Sequence, residues 1–170
     1  MGEIKSTLDI IMEKTRNLTL TDEEKKAFRY KEMEGKIKGL IVKFLDGLTD
    51  MKKLEKEIRA LEEKNPGSAV ECLKKACLER VDPLTDNVLL LDILENVAGL
   101  DISSLRGRLT EFRTNLDHEK AAREQALTEQ LRKKGISGSA VLPNIRADEN
   151  WIRFMQDAKE AFMKRLPDLL

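Results

Sequence analysis

The chain is short of most residue types that build sites. One histidine serves 170 residues, aromatics make up 4%, and there are only 4 prolines and 2 cysteines. A single His118 cannot supply a Ser/His/Asp or Cys/His set together with a metal site, and no Glu-x-x-His pair answers Glu95, Glu111 or Glu119 at helical spacing. Acidic and basic residues balance at 31 each. That balance argues against binding nucleic acid, which needs excess cationic side chains to displace counterions. No run of about 18 apolar residues occurs, so no membrane span is expected. The opening MGEIKSTLDI lacks the basic end and apolar stretch of a secretory leader, and a cytoplasmic location is the expectation.

Cys72 and Cys77 fall on one predicted helix, about 140° apart around its axis. A disulfide between them is implausible while that helix holds, and both fit better as small buried residues in a reducing compartment. No cofactor or metal is expected. Pairs such as Asp117 with Glu119 are ordinary solvated helix charges, not an acid/base dyad.

What is abundant is Leu, Lys, Glu, Arg and Ala, which is helix-forming composition. No period-two strand pattern competes. Ile4, Leu8, Ile11, Met12 and Thr15 outline a first helix over 3–16, which Asn17 to Leu20 breaks. Thr21 and Glu24 read as a capping box. Tyr30, Met33, Ile37, Leu40 and Phe44 then follow a coiled-coil-like 3-4 spacing, continued by Leu48, Met51, Leu54, Ile58 and Leu61. Because the seam barely loses phase, one helix over 22–64 is expected, about 64 Å long at 1.5 Å per residue. The alternative is a break at DGLTD, with Gly47 as a C-terminal cap and Thr49 opening a new helix.

NPGS ends that stretch, and Ser68 with Glu71 reads as a second capping box. A short pair over 69–98 follows, in two helices near 69–80 and 85–98. A long helix over 103–134 carries Leu105, Leu109, Phe112, Leu116, Arg123, Leu127 and Leu131 on one face. A C-terminal helix over 148–166 turns Trp151, Ile152, Met155, Ala158, Phe162 and Leu166 inward. The expected fold is all-α: one domain over 1–170, an elongated antiparallel three- to four-helix bundle with long coiled-coil-like helices. The two long stretches would lie side by side, with about 16 Å of overhang on the first, from eleven unmatched residues.

Three features are candidate sites. Gly35 and Gly39 form a GxxxG beside the Ile37–Leu40 seam. Glycines in mid-helix cost about 1 kcal/mol each against alanine, so a close backbone approach is the expected compensation, from this chain or from a second copy. Gly35, Gly39, Ile37 and Leu40 are therefore the candidate interface. The second feature is the connection over 135–147, longer than usual between bundle helices. Its candidate site residues are Ser137, Ser139, Asn144, Arg146 and Trp151. A phosphate loop is disfavoured there: a helix precedes it, no lysine follows within it, and Asp148 and Glu149 occupy the next helix start. A packed connector explains more, with Gly135 left-handed behind the helix, Ile136 folded back on Leu131, and Val141, Leu142 and Ile145 pinning the loop. The third is the stretch between Arg80 and Arg106, which contains no Lys or Arg but does contain Asp82, Asp86, Asp92, Glu95 and Asp101. It reads as a covered central helix or as an acidic-rimmed apolar face for a partner helix.

The chain over 22–64 holds 12 basic and 11 acidic residues, and 101–134 holds 8 and 6. Neither helix therefore carries a basic face for nucleic acid. MGEIKS fits an acylation pattern at Gly2, and NLT at Asn17 fits a glycosylation sequon, though each pattern is short. The function expected is a non-catalytic protein–protein interaction, scaffold or assembly role, as a homo-oligomer with a protein partner. A small-ligand-binding or enzymatic bundle using the 135–147 loop is the alternative.

Overall fold

A computed structural model of the protein describes residues 21–169. The expected first helix over 3–16, its break at 17–20, and the Gly2 and Asn17 patterns lie outside the described residues. Within them the fold is helical, with no strand: α1 (Asp22–Leu45), α2 (Met51–Lys64), α3 (Ser68–Leu78), α4 (Val88–Asn96), α5 (Ser103–Lys133) and α6 (Glu149–Arg165). Single turns of 3-10 helix, Ile145–Ala147 and Leu166–Leu169, flank α6.

The start of α1 is the capping box the sequence spells. The Thr21 hydroxyl accepts from the Glu24 N–H at 3.2 Å, and the Glu24 carboxylate accepts from the Thr21 N–H at 2.7 Å. Its end corrects the continuous helix expected over 22–64. Gly47 sits at φ +71°, its N–H donates to the Phe44 carbonyl, and the Leu48 N–H donates to the Lys43 carbonyl. That is a Schellman close, which a residue with a Cβ enters only at a steric cost. Asp50, not Thr49, opens α2, accepting from the Lys53 N–H at 2.8 Å. An apolar seam that keeps its phase across a turn does not prove that the backbone does. The 16 Å overhang disappears with the break.

The start of α3 is a second correction. Ser68 is not the cap. The Glu62 carboxylate, from the last turn of α2, accepts the N–H of Gly67 and those of Ala69 at 2.9 Å and Val70 at 3.1 Å. These backbone donors, Gly67 first, hold the Glu62 carboxyl below its usual range, against a smaller opposing effect of desolvation. One carboxylate thus closes the α2–α3 turn and neutralises a positive helix start.

Two reversals make α1 and α3 run the same way, and α1 packs chiefly on α3 and on α2. Lys38 meets Glu79 at 2.8 Å and Lys75 meets Glu34 at 3.9 Å along that contact. Ile37, Ile41, Leu54, Ile58, Leu73, Ile93 and Leu94 form the centre of the core, all essentially fully buried. Cys72 and Cys77 are free and buried there, as the sequence implies. Leu105, Leu109 and Leu166 join this core from the C-terminal half.

The expected side-by-side packing of the 22–64 and 103–134 stretches is not what forms. The main neighbours of α5 are α6 and the two 3-10 turns. Of its 31 residues only Leu105 and Leu109 are buried. Beyond Leu109 it pairs with α6 as a hairpin, through a Phe112–Phe162 edge contact with centroids 5.4 Å apart. Among the residues expected inward on α6, Ile152 is 38% exposed, while Phe154 stacks on buried Trp151 instead.

Three polar links fasten the hairpin. Arg123 grips Asp148 with two donors, the second at 2.7 Å, and Asp148 also caps α6 by accepting from the Trp151 N–H at 3.0 Å. Lys159 pairs with Asp82, and Arg113 donates to the Thr85 carbonyl at 2.6 Å. The last two reach the 82–87 turn, organised by buried Asn87. Its amide donates to the carbonyls of Asp82 and Thr85 and accepts from the Asp82 N–H.

Candidate functional site

The 135–147 connection is closed by the Schellman bonds expected of it. Gly135 lies at φ +78°, its N–H donates to the Arg132 carbonyl, and the Ile136 N–H donates to the Leu131 carbonyl at 3.0 Å. The pinning is partial. Ile145 is buried and Val141 half-buried, but Leu142 is 86% exposed and Ile136 49% exposed. Ser137, Ser139, Asn144 and Arg146 are exposed, whereas Trp151 is buried. The proposed loop set therefore divides between solvent and interior and does not converge on one point.

The glycine row does not receive the close approach from within the chain that was one of its two expected compensations. A Cβ built on Gly35 or Gly39 meets nothing within 4 Å, so no part of the described chain makes the close approach. Ile37 is fully buried and Leu40 nearly so, both turned into the core. At about 100° per residue, Phe28, Gly35, Gly39 and Val42 share an arc of about 60° on the opposite side. Phe28 is 66% exposed and Val42 37% exposed. A groove of about 420 Å³ runs beside the glycines toward α2, floored by Leu40 and Leu61 and rimmed by Lys36, Lys43, Glu57 and Lys64.

Sequence reasoning missed a groove in the C-terminal hairpin. A groove of about 610 Å³ opens between α5 and α6 over Phe112, Ala158, Ala161 and Phe162, with Arg108, Glu111, Arg165 and Asp168 at its edge. A smaller one of about 400 Å³ continues it past Leu116, His118 and Phe154. The signal available in the sequence was the pair of aromatics, Phe112 and Phe162, each on an inward face of its helix. Their meeting depends on the register of the hairpin, which spacing within one helix does not fix.

No cluster of three His, Cys, Asp or Glu side chains able to hold a metal ion occurs among the described residues. Burial pushes the Cys77 thiol up to about 12, so it stays protonated and unreactive at neutral pH. No helix of the described residues is long and apolar enough to cross a membrane. Comparison with protein families, curated proteins and solved structures finds no match to this chain.

Proposed function

We propose that the protein is a non-catalytic helical interaction protein that assembles with a second copy of itself through the outer face of α1. The observation that carries this is the open space over Gly35 and Gly39, on the side where Phe28 and Val42 stand exposed. Two mid-helix glycines cost about 2 kcal/mol together against alanine, and the described chain makes no use of them. A second helix does: without a Cβ at either position its backbone can lie close. An antiparallel two-fold crossing at Gly35 sets Phe28 of each copy, seven residues before it, against Val42 of the other, seven residues after it.

Light scattering at high micromolar concentration tests the reading. The expected mass is twice that of the 19.4 kDa chain, and Gly39→Leu should return it to one. A wild-type protein at 19.4 kDa removes the proposal. A Gly39→Leu protein that remains double places the contact elsewhere.

The 610 Å³ groove favours a second reading, a ligand-binding bundle that uses the α5–α6 seam rather than the 135–147 loop. Native mass spectrometry of the purified protein would then carry a retained mass that Phe162→Ala abolishes.

A further inference from the structure

The outer face of α4 is apolar, acidic and uncovered. The inner face of this helix, Leu90, Leu91, Ile93 and Leu94, is in the core. The outer face presents Val88 at 52% and Leu89 at 45% exposure, and the turn just before it presents Leu84 at 43%. At about 100° per residue, Asp92 falls between Val88 and Leu89 on that same outer arc.

The charges around the face are largely committed. Asp82 is held by Lys159, Glu95 by Arg106 at 3.2 Å, and Arg113 by the Thr85 carbonyl. The Asp86 carboxylate accepts from the Val88 N–H at 3.0 Å. Asp92 is half-buried, and its carboxylate has no hydrogen bond or ion pair among the described residues. The face itself supplies no cation, since no Lys or Arg occurs between Arg80 and Arg106. A carboxylate set without a partner among exposed Leu and Val side chains is matched by a cation carried on an apolar surface.

We infer that the outer face of α4 docks a basic amphipathic helix of a partner protein, whose apolar side chains cover Leu84, Val88 and Leu89 and whose lysine or arginine reaches Asp92. The inference is independent of self-association through α1, because Val88 and Leu89 lie on a different helix from Gly35 and Gly39. An anionic membrane is a poor occupant: Asp86 and Asp92 would be repelled by its headgroups.

The probe is a labelled 18-residue amphipathic peptide of leucine and lysine, read by fluorescence anisotropy against the full chain. The control is the same peptide with glutamate for lysine. The lysine peptide should bind at least tenfold more tightly than the control. The Val88→Ser/Leu89→Ser pair should weaken it at least tenfold. Asp92→Asn should weaken it about threefold to tenfold and flatten its salt dependence. Leu142→Ser, which removes a still more exposed leucine elsewhere, and Gly39→Leu should leave it unchanged. Should the double variant lose helicity, Asp92→Asn alone decides. Equal binding of the two peptides, or binding indifferent to Asp92→Asn and to a folded double variant, overturns the proposal. So does a wild-type dimer that the double variant dissociates, since a second copy would then be the occupant.

Discussion

The first four helices and the last two use similar residues to different ends. Helices α1 to α4 enclose Ile37, Ile41, Leu54, Ile58, Leu73, Ile93 and Leu94 with almost no exposure. In the α5–α6 hairpin beyond Leu109 the buried side chains are Ile145, Trp151 and Leu166. Its other apolar residues are half-covered or, like Ile136, Leu142 and Ile152, exposed, and polar links at Asp148, Asp82 and Thr85 fix its place. Apolar burial is additive and non-directional, while a bidentate ion pair or a bond to a carbonyl specifies one geometry. One half of the protein is therefore held mainly by packing, and the other is positioned mainly by directed bonds.

The sharpest way to break the comparison is to open a cavity on the packed side. Ile93→Ala removes a side chain with no exposure and should cost about 2–5 kcal/mol in urea unfolding. Phe154→Ala on half-covered α6 should cost only about 1–2 kcal/mol, well below a fully buried aromatic. Equal losses would erase the distinction.

The next test removes a directed bond. Asp148→Asn loses the charge that grips Arg123 and weakens the cap of α6. Amides over 149–165 should exchange faster with solvent, while those of α1 to α3 keep their rates. Acid should act the same way. The hydrogen-bonded Arg123 guanidinium, foremost, holds the Asp148 carboxyl below its usual range, with desolvation opposing and the Trp151 N–H assisting. A carboxyl with a lowered native pKa contributes stability that is present above its unfolded value, near 3.9, and is lost as pH falls through the native one. Hairpin protection should therefore be retained at pH 6 and fall below about pH 4, and Asp148→Asn should remove that part of the acid response.

Smaller effects of opposite sign separate the glycines. Gly135→Ala meets a left-handed backbone at φ +78° and should lose about 1 kcal/mol. Gly39→Ala sits in open helix and should gain up to about 1 kcal/mol in the isolated chain while weakening any association through α1. A destabilised Gly39→Ala monomer would mean that the close approach lies within the chain after all. Smallest of all, Ser137→Ala and Ser139→Ala should stay within about 0.5 kcal/mol, both being exposed. A larger loss at either serine would make the loop more than a connector.

Local chemistry explains which features were legible before the fold. The Thr21–Glu24 box and the Gly135 close depend on residues within five positions of each other, and both formed as spelled. That Cys72 and Cys77 stay free of each other followed from their spacing on one helix. The cap of α3 was misassigned because Ser68 and Glu71 satisfy the local pattern, while Glu62 reaches the same N–H groups from the preceding helix. The long helix was misassigned because apolar phase is a property of side chains and Gly47 is a property of the backbone.

What the sequence alone determined is the helical class, the starts of α1, α5 and α6 to within a residue, and much of the inward face of α1 and α2. Those are set by propensity, capping and periodicity, all of which act within a turn or two of helix. Tertiary structure decided that α1 pairs with α3 rather than with α5, that Gly35 and Gly39 face open space, and that Phe112 meets Phe162 beneath a groove. Each of these joins residues more than 30 positions apart, or turns on what lies opposite a surface. Helical periodicity states which face is apolar and carries no information about what will cover it.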